Sequence, residues 1–210
     1  SGSNTLKGGA GNDSITGGSG NDSIEGGAGD DIIAGGKGND VINAGTGNNT
    51  IKFALGDGKD TIISGGGVDT VDLGSENVLY DLEKQGNDLE MRYKKYDDWS
   101  VIESIILKDY FASDSHSVKY LQDRYYQGES KDDIESYSVN VYGEGTINDT
   151  KYYDNIYGTD GVDVITAGRT PSDSYYDYID PYLGNDIVNI VDNGRVYIDI
   201  LNEYGNDTIN

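Results

Sequence analysis

Residues 8–52 read GGAGNDSIT, GGSGNDSIE, GGAGDDIIA, GGKGNDVIN and AGTGNNTIK, five nonapeptides in unbroken succession. Phe53 and Ala54 interrupt the phase, and LGDGKDTII (55–63) and SGGGVDTVD (64–72) resume it. An incomplete unit precedes the series, with Gly2, Asn4 and Leu6 in register. The fourth position is always glycine: Gly11, Gly20, Gly29, Gly38, Gly47, Gly58 and Gly67. The sixth is Asp13, Asp22, Asp31, Asp40, Asn49, Asp60 and Asp69. The eighth is Ile15, Ile24, Ile33, Ile42, Ile51, Ile62 and Val71. A Gly/Ser/Asn linker has no reason to hold an aliphatic residue at every ninth position, with an acid two residues before it.

Each unit has a physical reading. Glycine permits positive φ and close backbone approach, so the first six residues predict a tight, carbonyl-exposing loop. The last three predict a short strand whose middle side chain points to one face and whose neighbours point to the other. Two units then make one coil. Stacked coils form two parallel sheets, about 4.8 Å per layer, with the aliphatic residues between them. Such a coil buries one aliphatic side chain per nine residues, too little to offset the ordering of nine glycine-rich backbones. Stacking also sets carboxylates over one another, Asp22 over Asp40 and Asp13 over Asp31. A hard divalent cation with many oxygen ligands offsets both costs, and calcium fits best.

The composition agrees with this reading and excludes others. The 210-residue chain has a formal charge of -23, Cys 0 and His 1. Without cysteine there is no disulfide framework and no thiolate zinc site. No run approaches the ~18 apolar residues of a membrane-spanning helix, and no apolar segment follows a basic N-terminus. So acidic a chain repels nucleic acid and anionic lipid, and its natural counter-ions are cations. Gly36-Lys37-Gly38 and Gly58-Lys59-Asp60 do not make a phosphate loop, and no EF-hand loop is present. Asn12-Asp13-Ser14 and similar N-x-[ST] matches are by-products of the repeat. Two compositional regimes share the chain: 21 of the 31 glycines lie in residues 1–75, and all 18 tyrosines lie after them.

The nonapeptides of residues 1–73 resemble the repeats-in-toxin (RTX) family, the haemolysin-type calcium-binding repeats. The resemblance implies an all-β parallel β-roll in which each calcium ion sits between loops on one edge, two repeats apart. Carried over to this chain, one edge uses Asp22, Asp40 and Asp60, and the other Asp13, Asp31, Asn49 and Asp69. Carbonyls of the loop glycines Gly9, Gly11, Gly18, Gly20, Gly27, Gly29, Gly36 and Gly38 join them as metal ligands. Asn49 departs from the family pattern by offering a neutral oxygen where the family prefers aspartate.

Residues 76–121 resemble the haemolysin-related segment that follows such repeat blocks. Period-two alternation at Leu89, Met91 and Tyr93 predicts a half-buried strand. Lys94–Asp98 reads as a polar turn, Trp99–Leu107 as a second strand, Tyr110-Phe111 as the seat of a short helix, and Val118–Tyr120 as a closing strand. Residues 76–128 would cover the last coil of the roll, since an open edge invites aggregation. His116, lacking a cysteine or second histidine as partner, reads as structural.

Residues 129–210 carry the repeat in worn form. GTDGVDVIT (158–166), PYLGNDIVN (181–189) and NEYGNDTIN (202–210) are the clear copies, with Asp154 and Asp177 in phase one unit before the first two. Asp163 and Asp186 are the candidate ligands here. The expectation is a degenerate, tyrosine-rich β-roll with insertions and fewer cations, in a chain that is a piece of a longer protein. The tyrosines serve packing, or alternatively a sugar- or peptide-binding surface.

The function expected from the repeats and the resemblance is a calcium-binding module of a larger secreted bacterial protein of toxin or cytolysin type. It would be unfolded at low calcium, exported by type I secretion machinery from a Gram-negative cell, and folded by calcium outside. The alternative is an adhesin or ligand-binding module contacting its target through tyrosine. Catalysis is not expected: there is no HExxH, no GxSxG and no cysteine.

Overall fold

The computed structural model describes residues 2–74, 79–94, 101–112, 118–123, 130–133, 138–142, 146–148, 153–167, 177–191, 196–199 and 206–210. Every regular element among them is a strand. The chain forms two compact units, residues 1–81 with 85–134, and residues 82–84 with 135–210.

The first unit opens with the repeats as β1 (Thr5–Ala10), β2 (Ser14–Ser19), β3 (Ser23–Ala28), β4 (Ile32–Lys37), β5 (Val41–Thr46), β6 (Thr50–Lys52), β7 (Lys59–Gly66) and β8 (Asp69–Asp72). Odd strands pair in parallel in the order β1-β3-β5-β7, and even strands in the order β2-β4-β6-β8. This is a parallel β-roll with two nonapeptides per coil. The eighth-position residues align into two columns, Leu6–Ile24–Ile42–Ile62 and Ile15–Ile33–Ile51–Val71. All but Leu6 and Ile15, in the first coil, are buried.

The strands are longer than the repeat suggested. Each regular strand runs from the seventh position of one unit through the third of the next, as in Ser14–Ser19, so only three residues turn the corner. First- and second-position glycines therefore lie within strands, where the ladder hydrogen bonds of a stacked neighbour extend the pairing.

The repeats are followed by β9 (Leu79–Gln85), β10 (Asp88–Lys94), β11 (Val101–Leu107), β12 (Val118–Asp123) and β13 (Ser130–Asp133). β10 and β11 form an antiparallel pair with Leu89 opposite Leu107 and Met91 opposite Ile105. β11 then lies parallel against β7, and β12 parallel against β8. Leu107, itself buried, is in register with Ile62 and extends its column, and the backbone of Leu121 is in register with Val71. β13 pairs with β12, which places residues 130–133 with the first unit rather than with the worn repeats. The Phe53-Ala54 interruption has a role here: the Phe53 ring is buried and stacks on Tyr93 at 5.0 Å.

The short helix expected at Tyr110-Phe111 is not formed. Residues 108–111 make a turn closed by the Ala112 N–H on the Asp109 carbonyl, with Asp109 at φ 53°, which no right-handed helix continues through. Trp99, His116 and most of the expected Lys94–Asp98 turn lie outside the described residues, although Lys94 itself ends β10.

The second unit repeats the architecture with β14 (Ser138–Tyr142), β15 (Thr146–Asn148), β16 (Tyr153–Tyr157), β17 (Val164–Ala167), β18 (Asp177–Asp180), β19 (Ile187–Ile190), β20 (Val196–Ile198) and β21 (Thr208–Ile209). Leu82–Lys84 of β9 pair in parallel with β14, and β14-β16-β18-β20 follow in order. The facing sheet is β15-β17-β19-β21. Ile156 and Ile179 share one aliphatic column, Ile147, Ile165 and Val188 the other, and all five are buried.

Adjacent residues on one strand separate core from surface: Ile33 is fully buried while Ile32 is 44% exposed. Ile33→Ala should cost the folded roll about 2–5 kcal/mol, and Ile32→Ala less than about 0.5 kcal/mol. Thermal unfolding of the two variants would show it, and equal losses would contradict the register.

Candidate metal centre

The three-residue corners bring the sixth-position side chains inside. Asp22, Asp31, Asp40, Asn49, Asp60 and Asp69 are each at most 3% exposed. Along one edge the main-chain N–H of each donates to Oδ1 of the next: Asn4 to Asp22 (2.7 Å), Asp22 to Asp40 (2.7 Å), Asp40 to Asp60 (2.9 Å). Along the other, Asp13 donates to Asp31 (2.9 Å), Asp31 to Asn49 (2.9 Å) and Asn49 to Asp69 (2.8 Å). Each run joins the residues assigned to one edge from the sequence.

The second carboxylate oxygen is the informative one. Oδ2 of Asp13, Asp22, Asp31 and Asp40 is buried without a hydrogen-bond partner. Each points at the first-position glycine of its own unit. A Cβ on Gly8 would stand 2.6 Å from Asp13 Oδ2 and 2.5 Å from the Gly26 carbonyl oxygen; one on Gly17 would stand 2.5 Å from both Asp22 Oδ2 and the Gly35 carbonyl. Any side chain there would collide with both, so only glycine lets a carboxylate and a carbonyl oxygen come this close together against the main chain. A buried carboxylate oxygen with no donor is costly, and a hard cation that prefers oxygen ligands relieves that cost. Among the described residues no three His, Cys, Asp or Glu side chains converge on a point. An ion here would draw the rest of its shell from main-chain carbonyls, which suits calcium and disfavours softer metals.

Of the glycines assigned from the sequence, the fourth-position ones lie in the three-residue corners and the second-position ones near the ends of the strands that lead into them. Gly9, Gly11, Gly18, Gly20, Gly27, Gly29, Gly36 and Gly38 all have positive φ. At Gly29, φ is +127° and a Cβ would meet the Gly11 carbonyl oxygen of the coil before at 2.5 Å. A side chain would be strained there and would also push the stacked carbonyls apart.

The fifth position also holds the coils, which the spacing of acids alone did not reveal. Its exposed Asn or Asp side chain accepts the N–H of the equivalent residue one coil later, as in Asp30 to Asn12 (2.9 Å), Asn39 to Asn21 (2.9 Å) and Asn48 to Asp30 (2.8 Å). These bonds run opposite in direction to those at the sixth position, so each gap between coils is clasped both ways. The signal was present as Asn or Asp in five consecutive units.

The second unit keeps the same arrangement with longer coils. The Asp163 N–H donates to Asp186 Oδ1 (2.8 Å) and the Asp186 N–H to Asp207 Oδ1 (2.9 Å). On its other edge, Asp154 donates to Asp177 Oδ1 (3.1 Å), and both are buried. Asp154 and Asp177 were legible as in phase and join Asp163 and Asp186. Asp186 Oδ2 lacks a partner, whereas Asp163 Oδ2 accepts the N–H and hydroxyl of Thr159.

Burial raises the carboxyl pKa at Asp40, Asp69 and Asp186. At Asp60 burial, reinforced by the Asp40, Asp57 and Glu103 carboxylates, pushes it up to about 7. A neighbouring cation reverses that preference by favouring the ionised form.

Fold and site together define a parallel β-roll whose edges present buried, under-satisfied oxygen donors. The family described as the RTX calcium-binding nonapeptide repeat matches the chain in four copies, at residues 1–33, 16–51, 53–77 and 142–169. The chain carries that repeat in its first seventy-seven residues and again at 142–169. No curated protein matches it. Among solved structures it is similar to the AlgE6R3 subunit from the Azotobacter vinelandii mannuronan C5-epimerase. The identity is 25%, over 53% of this chain and 74% of that one, with a TM-score of 0.42.

Because the folded-state value at Asp60 lies above the ordinary one, folding of the metal-free roll takes up a proton. Its stability is greatest at the acid end of the window between 3.8 and about 7 and is lost as pH rises through the upper value. Circular dichroism in chelator should therefore show more β structure at about pH 5 than at about pH 8. An unchanged spectrum would contradict the burial of these acids.

Proposed function

We propose that the chain is a calcium-binding module of a larger secreted bacterial protein of toxin or cytolysin type, disordered at low calcium and folded by calcium outside the cell. The observation that carries this is the repeated pairing of a buried, unpartnered Oδ2 with a carbonyl oxygen at Asp13, Asp22 and their equivalents. Without a cation these carboxylates are desolvated and stacked on one another, and little apolar burial compensates. With one, binding energy becomes folding energy. Calcium sites of extracellular modules have Kd of roughly 10⁻⁴–10⁻³ M, weak enough to stay empty in a cytosol where free calcium is far scarcer. An unfolded chain is also the form that a type I secretion channel of a Gram-negative cell can thread. Among the described residues no helix is long and apolar enough to cross a membrane. The acids are committed to the ladder, so no catalytic role is assigned to the chain.

A second reading rests on the second unit. Tyr157, Tyr178 and Tyr197 form a row in which Tyr178 and Tyr197 stack at 5.8 Å and 15°, and Tyr197 is 52% exposed. A glycan or peptide could lie on such a row. The rings already stack on each other and the Tyr178 hydroxyl donates to Asp199 (2.9 Å), which favours a packing role. Tyr152, Tyr175 and Tyr176 lie outside the described residues.

Circular dichroism should show disorder in chelator and β structure in millimolar calcium; a fully folded chelated chain at neutral pH would refute the proposal. Asp22→Ala with Asp40→Ala should lower calcium stoichiometry in calorimetric titration and raise the calcium midpoint for folding. Unchanged titration would refute the edge assignment.

A further inference from the structure

The rungs of the first roll differ in a way that the repeat alone does not announce. Gly8, Gly17, Gly26 and Gly35 hold the first position in the units of Asp13, Asp22, Asp31 and Asp40, and there Oδ2 is unpartnered. In the next unit of the Asp13 edge, the first position is Ala44, fully buried, and the sixth is Asn49. In the last unit it is Ser64, whose hydroxyl donates to Asp69 Oδ2. At two successive first positions on this edge glycine is thus replaced, once by a residue with a methyl group and once by one with a hydroxymethyl group.

The Asn49 amide completes the exchange. Its Nδ2 donates to Asp69 Oδ1 (3.0 Å) and reaches the fourth-position carbonyl of Gly47 at 3.5 Å. Asn4, the asparagine at the equivalent place on the other edge, does the same: Nδ2 donates to Asp22 Oδ1 (2.9 Å) and to the Gly2 carbonyl (2.7 Å). In both cases a neutral NH2 group bridges a carbonyl and the carboxylate of the next coil, two oxygens that a cation would otherwise draw together. The asparagine also removes one of the two like charges.

We propose that the Ala44–Asn49–Ser64–Asp69 rung is a built-in replacement for a calcium site, held by an amide and a hydroxyl and taking no metal. This rests on the calcium reading above and deepens it. The rung lies at β6 and β8, and β8 is the strand on which β12 is laid, with Val118 in register with Asp69. In a chain that calcium otherwise folds, the end of the roll next to its cap is therefore the one part that keeps its order without a cation. The Asp13–Asp31 and Asp22–Asp40 rungs, which keep glycine at the first position and an unpartnered Oδ2, order only when calcium arrives and build on that preformed end.

The test counts ions and follows amide exchange on the whole chain. The Ala44→Gly, Asn49→Asp, Ser64→Gly triple variant restores glycine at both first positions, frees Asp69 Oδ2 of its hydroxyl donor and restores the second charge, so it should bind one more calcium ion than the wild type in equilibrium dialysis. In chelator, hydrogen exchange of the wild type should leave residues 64–72 protected while residues 14–42 exchange freely. Ser64→Ala, which removes the hydroxyl but restores neither the glycine nor the second charge, should lose that protection with calcium stoichiometry unchanged. The proposal is overturned if the wild type binds calcium and the triple variant binds no more, or if 64–72 exchange as freely as 14–42. A wild type that binds no calcium at all would instead bring down the calcium reading beneath it.

Discussion

A buried carboxylate with one oxygen satisfied and the other left open is the constraint on which the first roll depends. The satisfied oxygen takes the main-chain N–H of the coil before, so every coil is keyed to its neighbour at the sixth position. The open oxygen requires space, and that space exists because the first position has no side chain. The glycines at the second and fourth positions follow from the same demand, since the chain must turn in three residues while its carbonyls stack on those of the adjoining coil. An aliphatic column completes the coil without dominating it. Apolar burial aligns the coils; the energetic problem that most shapes the sequence is electrostatic.

The interruption at Phe53-Ala54 shows how a repetitive structure is brought to an end. A solenoid coil has two unpaired strand edges, and each must be covered. β11 and β12 supply the next strand to each sheet, and Leu107 continues the column of Ile62. The extra residues lengthen the last coil and deliver a phenyl ring to Tyr93. Phase is broken where the roll changes from repeating itself to meeting a different partner. Glu103, from β11, also accepts the Gly56 N–H in the same lengthened loop.

The second unit shows that the rung survives when the surrounding repeat does not. Its coils take 23 residues between Asp163 and Asp186 and 21 between Asp186 and Asp207, yet the N–H to Oδ1 bond recurs at 2.8 and 2.9 Å. Insertions are accommodated in the connections, where chain length costs little. Within this unit the two buried edge acids with known Oδ2 environments differ: Asp163 is satisfied by Thr159, and Asp186 is left open. The same geometric frame can present an oxygen to a cation or to a hydroxyl, depending on one neighbouring side chain.

The nine-residue period alone was enough to determine the all-β roll, two units to a coil, the inward aliphatic column and the pairing of Asp22 with Asp40 and Asp13 with Asp31. These follow from local rules, since residues eighteen apart must stack once the period is kept. The extent of the strands did not follow, because glycine's propensity argues for loop until a neighbouring coil supplies ladder hydrogen bonds. Nor did the turn at Asp109, where a single left-handed residue overrides the apparent seat of a helix. Which carboxylate oxygens lack a partner was also undecided in the sequence. That depends on the neighbours of each Oδ2 in its own unit, where the hydroxyls of Ser64 at the first position and Thr159 at the second donate to Asp69 and Asp163, and no such group stands beside Asp13 or Asp22. Spacing sets which residues meet, and only the packed coils decide whether a meeting of oxygens calls for a cation or is settled by a proton donor already in the chain.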